Sequence, residues 1–155
     1  MTVSFIARRT ILAVASGGGH WIQLRRLSSA FEGHDVSWVT TDAGLATDVA
    51  EGRFLVVQDA SREEPLLMLR TALQLLRLLW RLRPDVVVTT GAAPGLLALV
   101  GGWALGARTI WIDSVANAEE LSLSGRLALR FADEVLTQWS HLVEDDRPRF
   151  EGSVL

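Results

Sequence analysis

Neither cysteine nor lysine occurs among the 155 residues, and histidine occurs three times, at His20, His34 and His141. Without thiols there is no disulfide framework and no thiolate metal site, and three scattered histidines are few nitrogen ligands, so no metal is expected; no other cofactor is expected either. Without lysine there is no Gly-Lys-Ser/Thr step, which excludes nucleotide hydrolysis of the Walker type. All fifteen basic residues are arginine, so an arginine at a phosphate-sized site says nothing about a preference over lysine. A net charge of −3 and the lack of a long basic block leave no electrostatic footprint for nucleic acid. No apolar run reaches the ~18 to 20 residues of a membrane span. Arg8 and Arg9 precede a short apolar stretch, but Ile11 to Ala15 is shorter than the ~7 to 15 residues of a signal-peptide core. It reads as a buried strand of a cytoplasmic protein.

What is present is a chain with 49% hydrophobic residues, enough for a packed core, and a length that suits one domain over residues 1–155. Short apolar runs rich in β-branched residues alternate with longer segments of helical period. That alternation is the signature of βαβ units and predicts an α/β fold with a doubly wound, mostly parallel sheet. Strands are expected at Thr10 to Ser16, Val36 to Thr41, Phe54 to Gln58, Asp85 to Thr90, Thr109 to Asp113 and Glu134 to Gln138. Helices are expected at Trp21 to Phe31, Pro65 to Leu82, Pro94 to Leu105 and Ser124 to Phe131, with Gly33, Pro84 and Gly106 as punctuation.

Ligands of open parallel sheets bind beyond the carboxyl ends of the strands, so the segments that follow each strand carry the functional information. After the first strand stand Gly17, Gly18, Gly19 and His20. A dinucleotide fingerprint would have Gly17 and Gly19 as its first two glycines, but Ile22 occupies the third position, which argues against that use even though Asp42 ends the second strand. What remains is a loop of minimal side chains at a helix N-terminus, where free N–H groups and the helix dipole favour a phosphate or diphosphate. His20, at its lip, is suited to take a proton from an attacking hydroxyl or to bind a phosphate, and equally to a local capping role. His34, in a turn after Gly33, reads as a surface residue.

After the fourth strand, Gly91 allows a turn and Pro94 suits the first turn of an almost wholly apolar helix whose N-terminus points to the same crevice. Ser122 and Ser124 offer helix caps or hydroxyls facing that crevice. The segment Pro65 to Leu82 is leucine-rich. At about 100° per residue, Arg70, Gln74, Arg77 and Arg81 fall within roughly 60° of one another, leaving the rest of the circumference to Leu, Met, Ala and Trp80. Such a helix can be buried, can meet a partner protein, or can lie at a membrane surface with its arginines on anionic headgroups.

Taken together, "SGGGHWIQL", "VVTTGAAPG", "WIDSVANAEELSLSGRL" and "ADEVLTQWSHL" resemble the acceptor-side subunit of two-part glycosyltransferases. That group includes the membrane-recruiting subunit of asparagine-linked glycosylation and bacterial PssD-type exopolysaccharide subunits, and is more distantly similar to the N-terminal half of MurG. The resemblance implies a Rossmann-like half of a GT-B enzyme that transfers sugar with inversion. It implies a donor-binding subunit as partner, UDP-sugar supplied through that partner, a lipid-linked saccharide as acceptor, and no nucleic acid. It also implies His20 as candidate general base, with Gly17, Gly18, Gly19, Gly91, Ala92, Pro94 and Gly95 at the acceptor diphosphate. Asp113, Ser114, Asn117, Ser122, Ser124 and Gly125 are implied to line the cleft. Relatives often carry Glu-Ser-Phe-Ala-Arg where this chain has Asp113-Ser114-Val115-Ala116-Asn117. The N-terminal membrane helix of eukaryotic members has no match here, so membrane contact is expected to be peripheral, at the inner face of the cytoplasmic membrane. Arg70, Arg77, Trp80 and Arg81 are then the candidates for membrane or partner contact.

Overall fold

The computed structural model describes residues 7–61 and 63–154. Seven strands form one sheet: β1 (Thr10–Ala15), β2 (Asp35–Thr40), β3 (Arg53–Val56), β4 (Val86–Gly91), β5 (Arg108–Ile112), β6 (Glu134–Thr137) and β7 (Arg149–Phe150). Their order is β3-β2-β1-β4-β5-β6-β7 and every pairing is parallel. This is the doubly wound arrangement, wholly rather than mostly parallel. The order reverses between β1 and β4, which is where such sheets open a crevice.

Parallel strands covered on both faces are expected to be apolar throughout, and Leu12 to Ala15 are fully buried. Alternation along β1 sorts the core. Ile11, Ala13 and Ala15 join Trp21, Leu24, Val36 and Trp38 on one face, while Leu12 and Val14 join Leu75, Leu79, Val87 and Ala98 on the other. The first face is covered by α1 (Gly19–Arg26) and by 3₁₀ turns at Ser28–Phe31 and Ala43–Asp48. The second is covered by α2 (Pro65–Leu82) and α3 (Ala93–Ala104), which pack on each other, with α4 (Leu123–Ala128) beside α3.

The helix expected to run to Phe31 stops at Arg26. The chain tightens into the 3₁₀ turn that sets Phe31 against Trp38, with ring centroids 5.7 Å apart. The α2 bounds agree with expectation because both ends are punctuated. Pro65 supplies a pre-formed φ at the first position, and Arg83 in left-handed geometry (φ 45°) closes the last turn before Pro84. The seventh strand has no counterpart in the sequence reading, since two residues carry no alternation.

Of α2, only Thr71, Leu75 and Leu79 are fully buried. Burying the two leucines contributes about 1.5 to 3 kcal/mol each. The opposite flank stays open: Leu66, Leu69, Leu73, Leu76 and Trp80 are exposed, the last at 64%. Arg70, Arg77 and Arg81 stand exposed among them. Trp103 and Leu105, at the end of the neighbouring α3, are exposed as well.

Candidate functional site

The sheet brings the two glycine loops together. Ala15 is the partner of Gly91 across the β1–β4 pair, and the Ser16 N–H donates to the Gly91 carbonyl at 3.1 Å. From this seam α1 departs with Gly18 before its first residue, at a positive φ (71°) that suits glycine, with neither a side-chain cap nor an acidic residue in the first turn. Among the described residues the opening N–H groups of α1 therefore have no anionic or hydroxyl partner of the kind that most helices recruit.

His20 is held at this seam by two hydrogen bonds to Thr90. Its Nδ1 lies 2.8 Å from the Thr90 carbonyl, and the Thr90 hydroxyl donates to the His20 carbonyl at 2.7 Å. A carbonyl oxygen only accepts, so Nδ1 carries the hydrogen and the neutral ring keeps its lone pair on Nε2. Among the described residues Nε2 has no partner. Gly91 forms the wall behind the ring: at φ 117° it already suits only glycine, and a Cβ there would stand 2.8 Å from Cε1 and Nδ1.

Beside the imidazole is a crevice of about 170 Å³ lined by His20, Gly91, Ala92, Ser114, Asn117, Ser122 and Ser124, with Trp111 and Ala116. A larger cavity of about 640 Å³ lies at the opposite end of the sheet, where β2 and β3 begin, between Arg25, His34, Trp38 and Glu51. The crevice is the better candidate despite its size, because it occupies the switch point and holds a histidine with a free ring nitrogen beside uncapped helix N–H groups.

The residues singled out by sequence divide into those at the crevice and those behind it. Ser124 and Asn117 line it and are half-buried. Pro94 and Gly95 are buried in the first turn of α3, where a Cβ on Gly95 would fall 2.0 Å from the Thr89 hydroxyl. Asp113 is buried too. Its Oδ1 accepts from Trp111 Nε1 (3.0 Å) and the Ser122 hydroxyl (2.6 Å), and its Oδ2 from Asn117 Nδ2 (3.1 Å) and the Ser122 N–H (2.9 Å). Ser122 in turn caps α4 by accepting from the Gly125 N–H at 2.8 Å. Gly125 presses on this carboxylate, with a hypothetical Cβ 2.7 Å from Oδ1. Asp113 thus organises the loop from β5 to α4 and spends all its visible acceptor capacity there.

Other features settle more simply. Ile22 is 54% exposed, so the position of the missing third glycine does not face the sheet at all. Asp42 accepts from the Gly44 N–H at 2.8 Å and caps a turn. The His34 Nδ1 accepts from the Arg9 N–H at 3.1 Å, and His141 Nε2 lies 2.6 Å from the Ala118 carbonyl. No cluster of His, Asp or Glu suited to a metal ion occurs among the described residues.

Two residues escaped the sequence reading. Gln23 and Gln138 are buried and hydrogen-bonded to each other, although 115 positions separate them. The signal for Gln23 was its place one helical turn after Gly19; for Gln138 it was a polar residue ending an apolar strand.

In architecture this is a Rossmann-like, doubly wound α/β domain. The fold superposes on MurG of Acinetobacter baumannii with a TM-score of 0.76 at 16% identity, over 94% of this chain and 45% of that one. A UDP-N-acetylglucosamine 2-epimerase from Rickettsia bellii shares the fold at a TM-score of 0.64 and 11% identity, over 86% of this chain and 40% of the other. The chain belongs to the Alg14 family: the family model "Oligosaccharide biosynthesis protein Alg14 like" matches residues 53–154. The UDP-N-acetylglucosamine transferase subunit ALG14 of Eremothecium gossypii is 38% identical over 81 residues, which are 46% of this chain and 35% of that protein. Its counterpart in Yarrowia lipolytica is 32% identical over 74 residues, 44% of this chain and 34% of that one. The match thus spans about a third of the length of these curated relatives. The family match begins at β3, so the loop Gly17 to His20 precedes it.

Proposed function

We propose that this chain is the acceptor-side subunit of a two-component, UDP-sugar-dependent glycosyltransferase that extends a polyprenyl-diphosphate-linked saccharide in polysaccharide or lipid-linked oligosaccharide synthesis. The observation that carries the reading is the His20 Nε2, left free by the bond from Nδ1 to the Thr90 carbonyl, on a crevice beside the uncapped start of α1. Family membership and the names of the relatives supply the class of reaction.

The acceptor diphosphate sits at the N–H groups of Gly18 to His20, where the α1 dipole favours negative charge. The acceptor hydroxyl attacks the anomeric carbon of the UDP-sugar from the face opposite UDP. A carbon–oxygen bond to the acceptor forms as the bond to the UDP oxygen breaks, and UDP leaves with the electron pair. His20 Nε2 takes the hydroxyl proton. The donor lies on a separate subunit facing this crevice, which suits a recess of only about 170 Å³ on this side.

The exposed flank of α2 supports peripheral membrane contact on the cytoplasmic side. Leu66, Leu69, Leu73 and Trp80 offer apolar surface, and Arg70, Arg77 and Arg81 offer charge for anionic headgroups.

The test is transfer by the chain mixed with a donor-binding partner, over a panel of UDP-sugars. Transfer is expected only with both subunits present, and His20→Ala should lower kcat about 10²- to 10⁴-fold, the range of a lost general base. If the partner alone transfers to a soluble acceptor and His20→Ala is silent, the chain is a recruiting scaffold without a part in the chemistry.

A further inference from the structure

Behind the crevice runs a buried polar relay whose direction is set by backbone donors and acceptors along it. Gln138 Oε1 accepts from the Val154 N–H at 2.9 Å, so the amide orientation of Gln138 is fixed by a backbone donor. Its Nε2 must then donate, and does so to Gln23 Oε1 at 2.5 Å and to the Asp113 carbonyl at 3.0 Å. Gln23 Oε1 also accepts from the Val115 N–H at 3.0 Å. Its Nε2 is therefore turned toward the Ser114 hydroxyl (3.0 Å) and the Gly19 carbonyl (3.3 Å). The Gly19 carbonyl belongs to the peptide that enters His20. The segment that starts this relay is tied at a second point, by Arg26 Nη1 donating to the Val154 carbonyl at 2.8 Å.

Gln23, Gln138 and Ser114 are 6%, 5% and 7% exposed, so water does not readily replace these bonds. An apolar side chain would fill the same space in a helix facing a core. A chain of paired amides connecting three loop ends instead fixes their relative placement, at the cost of needing every member satisfied.

We infer that Gln23 is a positioning residue: it transmits the docking of the Ser153–Val154 segment, through Gln138, to the Gly19–His20 peptide and so sets the imidazole against the crevice. Its catalytic meaning rests on the function proposed above, but the coupling itself is a property of this chain alone. When Val154 is docked, the amide polarity runs one way and Gln23 donates to Gly19. When Val154 is released, Gln138 loses the backbone donor to its Oε1 and is held only through its Nε2, by the Asp113 carbonyl and Gln23, so its amide is less tightly placed and the restraint that Gln23 passes to the Gly19 carbonyl weakens.

The test reads the His20 ring in the isolated chain, by long-range proton–nitrogen correlation of the imidazole signals, with His34 as the internal reference. Three variants are compared with the parent: Gln23→Met, Gln138→Leu and Val154→Pro. The last removes the backbone donor and stiffens the chain at a half-exposed position outside the core, which keeps the test valid if a glutamine variant fails to fold. In folded Val154→Pro, the Nδ1 and Nε2 signals of His20 should move toward the averaged values of a tautomer mixture while those of His34 stay in place. Unmoved His20 signals in that variant would overturn the coupling. In the reconstituted pair, kcat should fall several-fold in Gln23→Met with KM for the UDP-sugar unchanged. Signals that move while kcat stays unchanged would leave the coupling standing and remove His20 from the base role. A fall in kcat with unmoved signals would count against the relay.

Discussion

Glycine occurs on both sides of the switch point, for opposite reasons. After β4 and at α4, Gly91, Gly95 and Gly125 are packed against their own chain: a Cβ would come within 2.8 Å of the His20 ring, 2.0 Å of the Thr89 hydroxyl and 2.7 Å of the Asp113 carboxylate respectively. After β1 the pattern inverts. A Cβ on Gly19 would meet nothing within 4 Å, and one on Gly17 only ordinary contact with Asp42 at 3.4 Å, and neither residue has a positive φ. The protein's own packing explains the first group and leaves Gly17 and Gly19 unexplained. A loop kept bare beyond its structural needs is what close approach of a ligand to the backbone requires.

Substitutions can break or sharpen this contrast. Gly91→Ala should have the largest effect, since it combines a left-handed φ with a collision on the His20 ring; each is worth about 1 to 3 kcal/mol, so a loss of roughly 2 to 6 kcal/mol is expected in urea unfolding. Asp113→Ala leaves donors from Trp111, Asn117 and Ser122 without their acceptor. A loss of about 3 kcal/mol is expected by the same measurement. Gly19→Ala should do the reverse of Gly91→Ala. Stability should hold or rise by up to ~1 kcal/mol, as for any such change at a helix position, while transfer in the reconstituted pair drops about tenfold. If Gly19→Ala unfolds the chain, or Gly91→Ala leaves it unaffected, the distinction between the loops collapses. Trp80→Ala should be the mildest for the fold, within ~0.5 kcal/mol, because the ring lies outside the core. Flotation with anionic vesicles should nevertheless fall several-fold, and unchanged flotation would remove α2 from the membrane-contact role.

The distinction between the loops was not legible in the sequence, where all thirteen glycines look alike. What was legible is whatever local chemistry decides. Pro65 and Pro84 bracket α2, the apolar runs at Leu12 and Val87 announce covered parallel strands, and the order of motifs carried the family. Three-dimensional closure decides the rest. Asp113 was expected in the cleft, yet it lies behind it, because its acceptors are claimed by Trp111, Asn117 and Ser122, residues up to nine positions away that only the fold gathers. Gln23 and Gln138 meet across 115 positions. The tautomer of His20 depended on a carbonyl 70 residues further on. No pattern of side chains encodes where a backbone carbonyl will stand.

The last strand has a bearing on assembly. β7 offers two residues to the border of the sheet, and Arg149 within it is paired with Glu134 at 3.2 Å and with Glu151. The hydrogen bond to Glu151, then that carboxylate's charge, then the hydrogen bond and charge of Glu134, push the guanidinium further above its ordinary pKa, and an arginine keeps its charge at every accessible pH in any case. A border this short and this charged is a poor template for another strand. Such an edge disfavours continuation of the sheet from one molecule into the next on this side, and favours recognition through side chains and loops over extension of a ladder of backbone hydrogen bonds.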